Sequence, residues 1–130
     1  MGNILEIKKK VENLTALFVE DEESIRESTG LFLKKLFKNV HICSNGEEGL
    51  ASFKNNSDIS IVLTDIKMPK MDGVTMAQNI HQINNNIKIV FITASRGEHV
   101  IPNDLEHIYL TKPITYQTLL DCLASIQLEN

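Results

Sequence analysis

Short apolar runs alternate with stretches of helical spacing along most of the chain. Residues 14–19, LTALFV, form a continuous apolar run of strand length, and four acids follow at 20–23. Over residues 23–37, Ile25, Thr29, Phe32 and Leu36 recur every three or four places, a spacing that predicts a helix. NVHIC at 39–43 predicts a short strand, and SNG at 44–46 opens a helix carrying Leu50 and Phe53. Residues 59–63 form another apolar strand. Asp72 is a natural N-cap for a helix that turns Val74, Ala77, Ile80 and Ile83 inward and ends at NNN, 84–86. IKIVFI at 87–92 predicts a fourth strand and 108–110 a short fifth. Thr115 caps a last helix with Leu119, Leu120, Leu123 and Ile126 inside. Ahead of all these, residues 3–13 read as a short amphipathic helix with Ile4, Ile7 and Val11 on one side.

The pattern is βα repeated five times. Strands without polar alternation are buried on both faces, so the expected sheet is parallel with helices on both sides. The sequence carries no repeat, linker or low-complexity segment. The expected organisation is an N-terminal helical extension, 1–13, and one domain, 14–128.

Composition narrows the classes. A chain of 130 residues with 42% hydrophobic content fills a single core. No apolar run approaches membrane-spanning length, and the N-terminus lacks the apolar stretch of a signal peptide. Cys43 and Cys122 fit neither a CxxC nor a zinc pattern, and read as buried, reduced thiols of a cytoplasmic protein. A net charge of −4 argues against direct nucleic-acid binding. The lysines at 8–10 read as a solvated helix face. His41, His81, His99 and His107 are scattered and receive no catalytic role.

Ligands of an open parallel sheet bind beyond the carboxyl ends of its strands, where the strand order reverses. At those ends stand Glu20 and Asp21 after the first strand, Asp65 after the third, Thr93 after the fourth and Lys112 after the fifth. Individually, acids after a strand cap helices, a threonine there is a β-former and a lysine before proline is a turn residue. Their joint placement on one edge is harder to assign to chance. Three converging carboxylates repel one another, and a divalent cation removes the conflict. An all-oxygen donor set suits Mg2+, or Mn2+ in its place. A cation with free coordination positions beside a lysine and a hydroxyl is equipped for a phosphoryl group, and an aspartate facing it can act as nucleophile.

The stretches LFVEDEESIRE (17–27), IVLTDIKMPKMDG (61–73), FITAS (91–95) and YLTKPI (109–114) together resemble the receiver domain of bacterial two-component response regulators. The resemblance covers residues 14–128. It implies a flavodoxin-like doubly wound five-stranded parallel sheet, order 2-1-3-4-5. It implies that Asp65 is the phosphoacceptor and Asp21 a direct metal ligand. Glu20 would act partly through water, and the Lys67 backbone carbonyl would complete the metal site. Thr93 and Lys112 would contact the phosphoryl group, Thr93 and Tyr109 would move on activation, and the Lys112–Pro113 peptide would be cis. The implied partner is a sensor histidine kinase or phosphotransfer protein, with an output domain or protein beyond it and room for a homodimer. The implied activity is self-catalysed phosphotransfer with slow autodephosphorylation, not that of an enzyme turning over a substrate. Ala94, being small, would leave a path for the phosphodonor.

Some positions depart from the receiver pattern. Only 18 residues, 94–111, separate Thr93 from Lys112, and Pro102 falls among them. The helix of that crossover is therefore expected to be short, about residues 96–101, or irregular, and the face it helps build is not expected to serve as a dimer surface in the common way. The glycine often found before the fifth strand is replaced within LEHIYL. The Lys67 side chain reads as solvated, or as a modifier of how long the phosphorylated state lasts. Other chemistries fit less well. A dehalogenase-type phosphatase needs an acid two residues after the nucleophile, where Lys67 stands. A flavodoxin needs a hydroxyl- and Gly-rich loop after the first strand, where EDEES stands. A degenerate receiver used only for docking would not need the full set of acids, Thr93 and Lys112.

Overall fold

The structure, a computed structural model, describes residues 3–94, 101–102 and 105–128. Five strands, β1 (Thr15–Val19), β2 (Asn39–Cys43), β3 (Ile59–Asp65), β4 (Lys88–Thr93) and β5 (His107–Thr111), pair in parallel in the order β2-β1-β3-β4-β5. This is the expected doubly wound sheet. Its order reverses between β1 and β3, the two strands that carry the acids. Among the described residues five helices accompany it: α1 (Ile4–Val11), α2 (Glu23–Leu36), α3 (Gly46–Asn55), α4 (Gly73–Ile83) and α5 (Tyr116–Ser125). The crossover helix expected at 96–101 falls almost wholly outside the described residues. Ile101 and Pro102 stand in no regular element, and Leu105 anchors the incoming chain in the core at 3% exposure.

Alternation along the strands sorts the interior into two layers. Phe18, Leu63, Val90 and Ile92 join α1, α2 and α5 residues such as Val11, Leu33, Leu36, Leu119 and Leu123. Leu17, Val19, Val62, Ile89 and Phe91 join Phe53 of α3 and Met76, Ala77 and Ile80 of α4. The inner strand β1 is buried along its length, while the edge strand β5 is half-buried.

Side-chain caps begin four of the helices. The side chains of Asn3, Asn45, Asp72 and Thr115 accept the backbone N–H of Glu6, Glu48, Thr75 and Thr118, at 2.9, 2.9, 2.7 and 3.0 Å. At α2 the cap residue, Glu22, makes no such bond.

The α1 extension is packed into the domain. Ile7 and Val11 are buried against α2 and α5. The Lys10 ammonium donates to the carbonyls of Leu123 (2.7 Å), Ala124 (3.1 Å) and Ile126, at the α5 C-terminus, where helix carbonyls lack partners. The apolar stripes stop short of two expected positions. Ile4 and Ile83 are about half exposed, because the end of a helix has neighbours on one side only. Met76 fills the interior of α4 instead. Both cysteines are buried free thiols.

Candidate functional site

The β1 and β3 strand ends bring three carboxylates together. An oxygen from each of Glu20, Asp21 and Asp65 lies within 4.8 Å of the others. Glu20 is 2% exposed and Asp65 8%, whereas Asp21 faces solvent. The apolar run of β3 continues through the buried Thr64 into Asp65, which pairs with Ile92 of β4. A sheet-held backbone thus sets the Asp65 side chain. Its Oδ1 accepts the N–H of Ile66 at 3.0 Å.

Lys112 sits between two of the acids. Its Nζ lies 3.0 Å from Glu20 Oε1 and 3.0 Å from Asp65 Oδ2. Glu20 Oε2 also accepts the Glu22 N–H at 3.0 Å. Burial is the main force on Glu20 and pushes its carboxyl up to about 7. The hydrogen bonds from Glu22 and Lys112 pull the other way, and the Asp65 charge adds to the rise. Burial works against the Lys112 charge too, but the two carboxylates outweigh it and hold its pKa above the usual lysine value. Lys112 is positioned from β4, since its backbone N–H donates to the Thr93 carbonyl at 2.7 Å, and its peptide bond to Pro113 is cis. Thr93 is buried at the end of β4, and Ala94 beside it is exposed. Tyr109 is half-buried on β5 opposite Phe91, in the layer formed with α3 and α4.

The loop from β3 to α4 is drawn tight under the site. The Gly73 N–H donates to the Ile66 carbonyl at 2.7 Å, and the Met71 N–H to the Pro69 carbonyl at 2.8 Å. Lys70 adopts a φ of 71°, in the left-handed region. Lys67 is exposed within this loop. Asp72, at the far end of the loop, caps α4 and is not one of the three clustered acids.

Three sequence-predicted acids and Lys112 therefore meet in one place, with Thr93 tied to Lys112 through the backbone. Sequence reasoning missed Arg26, whose guanidinium donates to the carbonyls of Glu20 and Asp21. The available signal was a cation one turn into the helix that follows the acidic run. The donor set is oxygen-only, and one acid opens to solvent while two are held rigid. Such a set fits Mg2+, which retains water on its open side.

Comparison with known proteins agrees with this geometry. The model of the family described as response regulator receiver domain matches residues 16–124. The sensor kinase CckA of Brucella abortus is 28% identical over 86% of this chain, which spans 13% of that protein. The probable C4-dicarboxylate response regulator DctR of Halalkalibacterium halodurans is 29% identical over 88% of the chain, which spans 51% of it. Among solved structures, a chain of the CheX-CheY-BeF3-Mg+2 complex from Borrelia burgdorferi superposes with a TM-score of 0.74 at 29% identity, covering 86% of this chain and 87% of that one.

Proposed function

The chain belongs to the response regulator receiver domain family, and on that premise we propose that Asp65 is its phosphoacceptor. The observation that carries this reading is the Lys112 ammonium, bound at 3.0 Å to both Glu20 and Asp65 with Asp21 alongside. The donor is a phosphohistidine on a partner histidine kinase or phosphotransfer protein. An Asp65 oxygen forms the new O–P bond while the P–N bond to the imidazole breaks. The imidazole nitrogen leaves with the electron pair and takes up a proton. Lys112 is placed to follow the charge as it moves from the Asp65 carboxylate to the phosphoryl oxygens, and the Thr93 hydroxyl donates to one of them.

Glu20, Asp21, Asp65 and the Lys67 backbone carbonyl would hold Mg2+, or Mn2+, and the bound ion would supply positive charge against the phosphoryl oxygens. The Borrelia complex, which contains CheY with BeF3 and Mg2+, supports this. Thr93 and Tyr109 are the residues that carry the change outward, from the site along β4 and β5 to a surface read by an output domain or protein. In the longer relatives the matching segment is a fraction of the protein, so that output lies with other segments or partners. The proposed unit is 14–128, with 1–13 as an extension, acting in the cytoplasm. Among the described residues no helix is long and apolar enough to cross a membrane.

The test is intact-protein mass after acetyl phosphate. One phosphoryl group gained with Mg2+ and none with a chelator supports the reading; equal labelling in both contradicts the metal dependence.

A further inference from the structure

We propose that Arg26 is a positioning residue for the cation site, its guanidinium fixing the turn that brings the carboxylates of Glu20 and Asp21 to Asp65. The inference rests on the reading of those three acids as a Mg2+ site. Arg26 Nη1 donates to the Glu20 carbonyl at 3.0 Å and to the Asp21 carbonyl at 3.3 Å. Two successive carbonyls therefore turn toward one nitrogen, which bends the chain where β1 gives way to α2. The cap residue Glu22 makes no side-chain cap bond there, and its own N–H is held by Glu20 Oε2 at 3.0 Å. Arg26 reaches back from the first turn of α2, held there by its own N–H bond to the Glu22 carbonyl at 2.9 Å.

The consequence for the acids is specific. The Glu20 peptide is tied on one side to β2, its N–H donating to the Cys43 carbonyl at 3.1 Å, and on the other to Arg26. The Asp21 side chain faces solvent, so its direction depends on its backbone, and Arg26 holds that backbone by the carbonyl. Guanidinium remains charged at any pH the fold meets and offers several donors in a rigid plane. Its Nη1 is spent on carbonyls, while the Glu20 carboxylate is held separately, Oε1 by Lys112 and Oε2 by the Glu22 N–H, and the Asp21 side chain faces solvent. Groups that orient metal ligands from behind are worth about 10- to 100-fold in metal affinity.

Charge and position pull in opposite directions, which makes the role testable. Removing a nearby cation would by itself tighten Mg2+ binding; releasing the turn would weaken it. The experiment is calorimetric titration of Mg2+ into wild type, Arg26→Met and Arg26→Lys, with thermal unfolding in metal-free buffer as the check on folding. The expected result is Mg2+ binding about tenfold or more weaker in Arg26→Met, with Arg26→Lys in between. Binding by Arg26→Met equal to or tighter than wild type overturns the proposal. If the methionine variant does not fold, Arg26→Lys decides: affinity equal to wild type overturns it. Wild type that takes up no Mg2+ overturns the metal-site reading itself, and the proposal with it.

Discussion

A Cβ placed on Gly73 would stand 2.0 Å from the carbonyl oxygen of Asp65. The first residue of α4 is thus pressed against the backbone of the proposed phosphoacceptor, closer than any side chain permits. Backbone cannot yield as a flexible side chain does. Gly73→Ala should therefore push the 66–73 loop away from β3 and cost about 1–3 kcal/mol, the range for overpacking. Chemical denaturation measures the loss. A variant as stable as wild type, with unchanged phosphorylation, would show that the loop has slack the geometry does not suggest.

Lys112 is the counter-charge shared by Glu20 and Asp65. Lys112→Met should slow phosphorylation by acetyl phosphate about a hundredfold or more, the effect of losing one aligned donor in such a site. Mg2+ binding should persist, since all three carboxylates remain. Stopped reactions followed by mass measurement give the rate, and calorimetry gives the affinity. A normal rate would remove Lys112 from the chemistry.

The N-terminal helix is predicted to belong to the folded unit. Ile7 is 3% exposed in a cluster with α2 and α5 residues. Ile7→Ala should lower stability by about 2–5 kcal/mol, the cost of such a truncation in a packed core. Urea unfolding checks it. No change would mean that α1 docks too weakly to matter.

Burial raises the pKa of both thiols, and pushes Cys122 up to about 11. A thiol raised in the fold stays protonated where an unfolded one ionises. Its contribution to stability is full below the ordinary value of 9.0 and is lost as pH climbs through about 11. At mildly alkaline pH, iodoacetamide should label the native protein slowly and the denatured protein fast, because the thiolate is the nucleophile. Fast native labelling of Cys122 would contradict its burial.

Much of this architecture was legible before any coordinates. The strands announced themselves as apolar runs and the helices by their spacing, and the acids, Thr93 and Lys112 fell at strand ends that the sheet order brings to one edge. Boundaries were less visible. The ladder of β3 runs on through Thr64 and Asp65 because its backbone keeps pairing with β4 where the apolar pattern has stopped. Ile4 and Ile83 obey the helical period yet reach solvent, since periodicity gives a face but not the extent of what covers it. The left-handed Lys70 carries no sequence mark of the glycine kind. Arg26 was hidden for a related reason. Its bonds run to backbone carbonyls five and six residues earlier, a relation that no side-chain pattern encodes.

The central claim is that Asp65 receives the phosphoryl group. Intact-protein and peptide mass measurement after acetyl phosphate with Mg2+, on wild type and Asp65→Asn, tests it most directly. One phosphoryl group on the peptide containing Asp65 in wild type, and none in Asp65→Asn, is the predicted result. Equal labelling of Asp65→Asn, or labelling of wild type on another peptide, would contradict it.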